Sequence, residues 1–190
     1  MTLPGLARIV PERCLLLVVD AQERLLPAMA EPSRERLVTS TELLLDAAAQ
    51  LGVAVSATEQ YPKGLGPTVP SLRSRLEGQR AVIHPKLTFD ACLEPSFLEA
   101  LEALAPRAIV VCGMEAHVCV FQTVRSLAAR GHTTYVVADA VASRREEHKV
   151  VGLRLAERAG AIVTVAETVI FDWLERAGTE AFKSLSKRLR

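Results

Sequence analysis

The sequence predicts a three-layer, doubly wound α/β domain built on a parallel sheet, and three observations carry that expectation. Short β-branched apolar runs alternate about six times with longer segments of helical periodicity. Most of these runs are apolar at nearly every position, as strands covered by helices on both faces require. Gly52, Gly131 and Gly160 each stand between a helical segment and the next run, where a left-handed helix cap is expected.

In chain order, the candidate strands are Cys14–Val19, Val53–Thr58, Ala81–His84, Ala108–Cys112, Thr133–Ala138 and Ala161–Val165. Apolar residues recur with helical spacing over Ser33–Leu51, Pro95–Leu104, Val118–Arg130 and Arg144–Ala159, and in a C-terminal pair, Val169–Glu175 and Thr179–Lys187. Right-handed crossovers fold this string into one sheet with helices on both sides. Glu59–Pro70 (EQYPKGLGPTVP) reads as a long irregular stretch after the second strand. A loop of that length at the carboxyl end of a strand is a candidate pocket wall.

Composition narrows the function. A chain of 190 residues fills one core, so a single domain spanning 1–190 is expected. Lys+Arg at 23 against Asp+Glu at 22 gives a formal charge of +1, too little to gather nucleic acid or anionic lipid. The longest apolar runs fall well short of the ~20 residues that span a bilayer. The first residues, MTLPGLARIVPERC, carry no secretory leader pattern, and the expected location is the cytoplasm. Cys14, Cys92, Cys112 and Cys119 form no CxxC pair, which suits free thiols in a reducing compartment.

In an open parallel sheet, ligands bind beyond the carboxyl ends of the strands. Three reactive side chains stand there: Asp20 after the first strand, Lys86 after the third and Cys119 shortly after the fourth. Taken singly, Asp20 could cap a turn, Lys86 could be a solvated charge and Cys119 a core thiol. Their joint placement at one sheet edge favours chemistry. A cysteine in the first turn of a helix meets free backbone N–H groups that favour the thiolate. A carboxylate such as Asp20 could take the thiol proton, with the Lys86 ammonium offsetting the accumulated negative charge.

Other constellations fit less well. Cys14 and Cys112 fall inside strands and Cys92 has no strand end to aim it, so all three are assigned to packing. His84, His117, His132 and His148 are scattered, and no metal site is expected. The chain has no Asn, which removes a Cys-His-Asn triad, although Cys-His-Asp remains formally open. GLGPTV fails the GxGxxG spacing and no GxxxxGK[ST] occurs, so no cofactor is expected.

The order Asp20 (VVDAQ), Lys86 (HPKLTFD) and Cys119 (GMEAHVCV) resembles the Asp-Lys-Cys triad of the isochorismatase-like cysteine hydrolases over roughly residues 10 to 170. TEQYPKGLGPTVP and CGMEAHVCVFQT are most similar to the isochorismatase domain-containing subgroup. The resemblance implies a Rossmann-like fold with strand order 3-2-1-4-5-6, and a non-proline cis peptide at Met114–Glu115. It implies an oxyanion hole from the backbone N–H groups of Glu115 and Cys119, and a homo-oligomer. It also implies hydrolysis of a small amide or related acyl compound through an acyl-enzyme. The nicotinamidase branch binds a divalent metal through an Asp and several His after the second strand. EQYPKGLGPT has no His there, so neither metal nor nicotinamide is expected. Gln22, Leu25, Tyr61, Leu65, Phe89, Glu115 and His117 fall on strand-end loops and are candidate substrate contacts, with plain packing as the alternative for each. The competing functional reading is a non-catalytic oligomeric scaffold or interaction protein on the same fold.

Overall fold

The computed structural model describes residues 7–189. Residues 1–6, part of the segment read for a leader, and residue 190 lie outside them. Six strands form one all-parallel sheet: β1 (Cys14–Val19), β2 (Ala54–Gln60), β3 (Val82–Lys86), β4 (Ala108–Met114), β5 (Thr133–Ala142) and β6 (Ile162–Thr164). Their order is β3-β2-β1-β4-β5-β6, as expected.

Side-chain alternation divides the core in two. Cys14, Leu16 and Val18 of β1 join a cluster with α1 (Ser33–Leu51), α3 (Pro70–Gly78), α7 (Ala166–Leu174) and α8 (Glu180–Leu185). Leu15, Leu17 and Val19 join a second cluster on the opposite face, with α4 (Pro95–Leu104), α5 (Phe121–Ala129) and α6 (Glu146–Arg158). Every residue of β1 is therefore buried, which is why its sequence is an unbroken apolar run. Burying each Leu or Val contributes about 1.5–3 kcal/mol.

Several boundaries differ from the sequence reading. The stretch Glu59–Pro70 is not irregular throughout. Glu59 and Gln60 finish β2, Pro62–Leu65 forms a short helix (α2), and Thr68 pairs with Gln22 in an isolated antiparallel bridge. The segment after it supplies α3, a crossover helix the sequence reading did not contain. Only Leu72 and Leu76 of PSLRSRLEG are buried, so its periodic signal is one i,i+4 pair behind a proline at the helix start. The strands β2, β3, β4 and β5 all run past their expected ends, and those added residues reach the site. Pro85 is tolerated in β3 because that strand lies at the sheet edge.

Candidate active site

β1 ends at Val19, and Asp20 leaves it in a left-handed conformation at φ 51°. The Asp20 N–H still donates to Thr58 O at 3.1 Å, so the turn stays anchored to β2. The carboxylate is fully buried; Oδ1 accepts from Thr58 Oγ1 at 2.6 Å. Oδ2 faces Lys86 Nζ at 2.7 Å as an ion pair rather than an aligned hydrogen bond.

Lys86 belongs to β3, two strands from β1, and its side chain crosses the intervening β2 to reach Asp20. Gln60 stands opposite Lys86 in the sheet register and guides it. Gln60 Nε2 donates to Leu87 O at 2.9 Å, which aims Oε1 at Lys86 Nζ at 2.6 Å. The ammonium also donates to Thr88 O at 3.2 Å and Phe89 O at 3.4 Å. The buried charge is thereby surrounded by acceptors, as a desolvated cation requires.

The third member arrives from β4. Gly113, at φ 116°, passes so close to β1 that an added Cβ would lie 2.0 Å from Val19 O. Only glycine permits that approach. The following Met114–Glu115 peptide is cis. The chain then enters a π-helical turn, Ala116–Val120, which runs into α5. Gly152 of α6 presses against this turn, where a Cβ would stand 2.7 Å from the Ala116 and His117 backbone.

Cys119 is 5% exposed and its thiol interacts with both Asp20 and Lys86. Burial pushes its pKa up to about 12, the Asp20 charge pushes the same way, and Lys86 opposes them. The resting sulfur is therefore a neutral thiol. This runs against the expectation that the helix start favours a thiolate: burial is the largest influence on the thiol, and the Asp20 charge adds to it. Cys14 and Cys112 lie in strands and Cys92 in the 3-10 turn Ala91–Leu93, all three buried.

The expected substrate contacts do not behave alike. Gln22 is fully buried, and its amide is occupied by Gln60 O at 2.9 Å, Gly66 O at 2.7 Å and the Gln60 N–H at 2.8 Å. It is a strut between the post-β1 turn and the α2 loop, not a cleft-facing group. Leu25 and Leu65 are partly buried, and Leu25 packs onto the α1 core. Tyr61 and Phe89 are each 53% exposed. His117 is half-buried, with Nδ1 3.0 Å from Ser143 Oγ and its ring against His148 at 4.8 Å. Burial lowers the His117 pKa, with the nearby Glu115 charge opposing it.

A cavity of about 340 Å³ is lined by Tyr61, Pro62, Lys63, Pro85, Lys86, Leu87 and Glu94. It gathers Tyr61 and Lys86, but not Leu25, Leu65, Phe89 or Cys119. A larger one, about 470 Å³, runs along β5 and β6 beside Tyr135 and Ile162, and none of the expected site residues lines it. Among the described residues, no group of three or more His, Cys, Asp and Glu side chains converges as metal ligands.

Sequence reasoning missed several supports. Thr58 closes the run that marked the second strand and reads there as an ordinary strand residue, and Gln60 lies on the polar tail of β2 beyond it. Asp90 joins the loop after β3 to α5 by accepting from Ser126 Oγ and from the Cys92 N–H. Arg144 donates its backbone N–H and its Nε to Glu115 Oε2, each at 3.0 Å. The RREE run containing Arg144 reads simply as a solvated face, and nothing local links it to Glu115.

A doubly wound parallel sheet with an acid, an ammonium and a thiol gathered at its carboxyl edge defines a Rossmann-like α/β domain with one candidate reactive site. The chain belongs to the isochorismatase family: the Isochorismatase domain matches residues 14–168. Isochorismatase domain-containing protein 2 of Danio rerio is 33% identical over 186 residues, covering 97% of this chain and 91% of the relative. Among solved structures, the MAR1 ribonuclease of Caenorhabditis elegans superposes with a TM-score of 0.89 at 36% identity, covering 96% of this chain and 92% of that one. The YcaC gene product of Escherichia coli, described as an octameric hydrolase of unknown specificity, superposes at 0.88 with 21% identity, covering 96% and 90%. At that identity the likeness concerns the fold.

Proposed function

We propose that this protein is a cysteine hydrolase of small amides or related acyl compounds, with Cys119 as nucleophile, Asp20 as acid–base and Lys86 as the charge partner of Asp20. The observation that carries the reading is the buried Asp20–Lys86 ion pair placed against the Cys119 thiol. Because the thiol rests neutral, attack and proton loss are coupled. Asp20 takes the proton from sulfur as sulfur bonds to the carbonyl carbon. The tetrahedral oxygen is held by the Glu115 and Cys119 backbone N–H groups. Asp20 returns the proton to the departing amine, and the C–N bond breaks to leave a thioester. Water then attacks the thioester, giving its proton to Asp20. The carboxylic acid leaves, and the sulfur regains the proton.

The Lys86 ammonium, fixed by Gln60, Thr88 and Phe89, keeps Asp20 aimed and offsets charge through both halves of the cycle. No step in this route draws on a bound metal or cofactor. Tyr61, Leu65, Phe89 and His117 are the proposed contacts for the substrate's non-reacting part. The formal charge of +1 supports a small-molecule substrate over RNA, the substrate suggested by the name of the C. elegans relative. A cytoplasmic homo-oligomer is part of the same reading. No helix of the described residues is long and apolar enough to cross a membrane.

The test is a screen of small primary amides, carbamoyl compounds, hydroxamates and a structured RNA, with native protein and Cys119→Ala compared on each. Amide turnover lost in Cys119→Ala supports the proposal. RNA cleavage, or turnover unchanged in the variant, contradicts it. A fully silent panel favours the scaffold reading.

A further inference from the structure

The junction between β5 and α6 is tied to the proposed oxyanion turn more firmly than a connecting loop needs to be. Met114 and Ala142 are neighbours in the β4–β5 register, so Glu115 and Ser143 leave the sheet side by side. Arg144 then places two donors, its backbone N–H and its Nε, on the single oxygen Oε2 of Glu115. The Glu115 carboxylate is only 9% exposed, while the Arg144 side chain is 59% exposed, so the arginine covers the carboxylate from the solvent side. On its backbone side, Glu115 O accepts from the Val118 and Val120 N–H groups at 3.0 and 3.2 Å.

The loop itself is anchored independently. Ser143 O accepts from the Ala30 N–H at 3.1 Å, and Ser143 Oγ meets His117 Nδ1. Glu146, the first residue of α6, accepts from Ser33 Oγ at 2.7 Å, and the buried Lys149, one turn further on, donates to the same hydroxyl at 2.9 Å. The Arg144 contacts are thus delivered from a fixed frame to a buried carboxylate whose own backbone N–H belongs to the proposed oxyanion hole.

We infer that Arg144 is a positioning residue: acting through the Glu115 carboxylate, it fixes the Glu115 peptide so that its N–H points at the developing oxyanion. The inference rests on the cysteine-hydrolase reading. It assigns the Glu115 side chain to holding its own backbone rather than to contacting substrate.

Two thiol probes separate this role from others. p-Nitrophenyl acetate acylates through a tetrahedral oxyanion, whereas iodoacetamide alkylates by displacement and forms none. Both rates are measured for the native chain, Arg144→Ala, Arg144→Lys, Glu115→Ala, the Arg144→Ala/Glu115→Ala pair, and Cys119→Ala. Losing an oxyanion donor outright slows reaction about 100 to 1000-fold, so misaligning one is expected to slow the p-nitrophenolate burst about tenfold in Arg144→Ala and in Glu115→Ala. The double variant should be no slower than the slower single, as two changes to one linkage require. Arg144→Lys should recover part of the rate, and alkylation of Cys119 should stay within about twofold of native in the four variants that keep the sulfur. A native burst rate in Arg144→Ala, multiplicative losses in the double variant, or burst and alkylation falling together would each overturn the inference. If the native burst persists in Cys119→Ala, the hydrolase reading itself fails, and the inference goes with it.

Discussion

Lys86 Nζ lies 2.7 Å from Asp20 Oδ2 with both side chains fully buried, although Asp20 follows β1, Lys86 ends β3 and β2 lies between. Such a pair is a weak source of stability while intact and an expensive one to break, since either partner alone is a desolvated charge. Lys86→Met is expected to destabilise the fold by about 3–5 kcal/mol, and Asp20→Asn/Lys86→Met by clearly less than the sum of the two singles. Urea unfolding of the four proteins checks this. Additive losses would mean that the two charges do not act as a unit.

The sign of the Asp20 effect on Cys119 gives a sharper prediction. The Asp20 charge raises the thiol pKa, so Asp20→Asn lowers it and exposes more thiolate at a given pH. Iodoacetamide should alkylate Cys119 faster in Asp20→Asn at about pH 8, while acyl turnover falls by about 100 to 10,000-fold with the loss of its acid–base. Peptide mapping of the alkylated site and a turnover assay are the measurements. A variant slower in both would show that Asp20 activates the sulfur in the ground state.

Alkaline pH should weaken the fold. The thiols of Cys14, Cys92, Cys112 and Cys119 are each raised by burial from 9.0 to about 12. Above about pH 9 the unfolded chain gives up thiol protons that the folded chain keeps, so stability present below about pH 9 is lost as pH rises towards about 12. Each thiol contributes a slope of roughly 1.4 kcal/mol per pH unit inside that window. Cys112→Ala should therefore unfold with a shallower pH dependence than the native chain in urea titrations between about pH 9 and about pH 11. Parallel curves would contradict the assignment.

Gly113→Ala tests the close approach of β4 to β1. The new methyl would meet Val19 O at 2.0 Å, and φ 116° is closed to alanine without strain. A loss of about 3 kcal/mol or more is expected from backbone strain and overpacking together. The unfolding midpoint in urea reads it, and a change below about 1 kcal/mol would show that the two strand ends move apart easily.

Thr58→Val removes the hydroxyl that donates to Asp20 Oδ1 at 2.6 Å and leaves that oxygen buried without it. The cost should be about 1–3 kcal/mol of stability. A misaimed base should also lower kcat more than it raises KM. Unchanged kcat would separate this hydrogen bond from the chemistry.

Much of the fold was legible because apolar runs and helix spacing record burial directly. β1 and α1 have the boundaries their periodicity implies, since every β1 position is covered and α1 buries one stripe including Leu37, Leu44 and Ala48. The strand ends were illegible for the opposite reason. Glu59, Gln60, Pro85 and Lys86 look like loop residues, yet each lies in a strand. There, Glu59 is satisfied by Thr68 and Gln60 by Gln22, Leu87 and Lys86. The same masking hid Gln22, whose polar amide suggests a cleft and whose partners lie 38 and 44 residues away. The thiol's protonation could not be read at all, because motif spacing carries no information on how far Cys119 is buried. The meeting of Asp20, Lys86 and Cys119 was visible only because all three stand at or just beyond the carboxyl ends of strands of one sheet. The tie between Arg144 and Glu115 leaves no mark at the level of motifs.

The most direct test is to mix the protein with p-nitrophenyl acetate, quench in acid during the burst, and locate the acetyl group by intact and peptide mass. The proposed function predicts one acetyl per chain, carried on Cys119, absent from Cys119→Ala and cleared by water in the native protein but not in Asp20→Asn. Acetyl spread over lysines at equal rates in native and Cys119→Ala, with none on the sulfur, would contradict it.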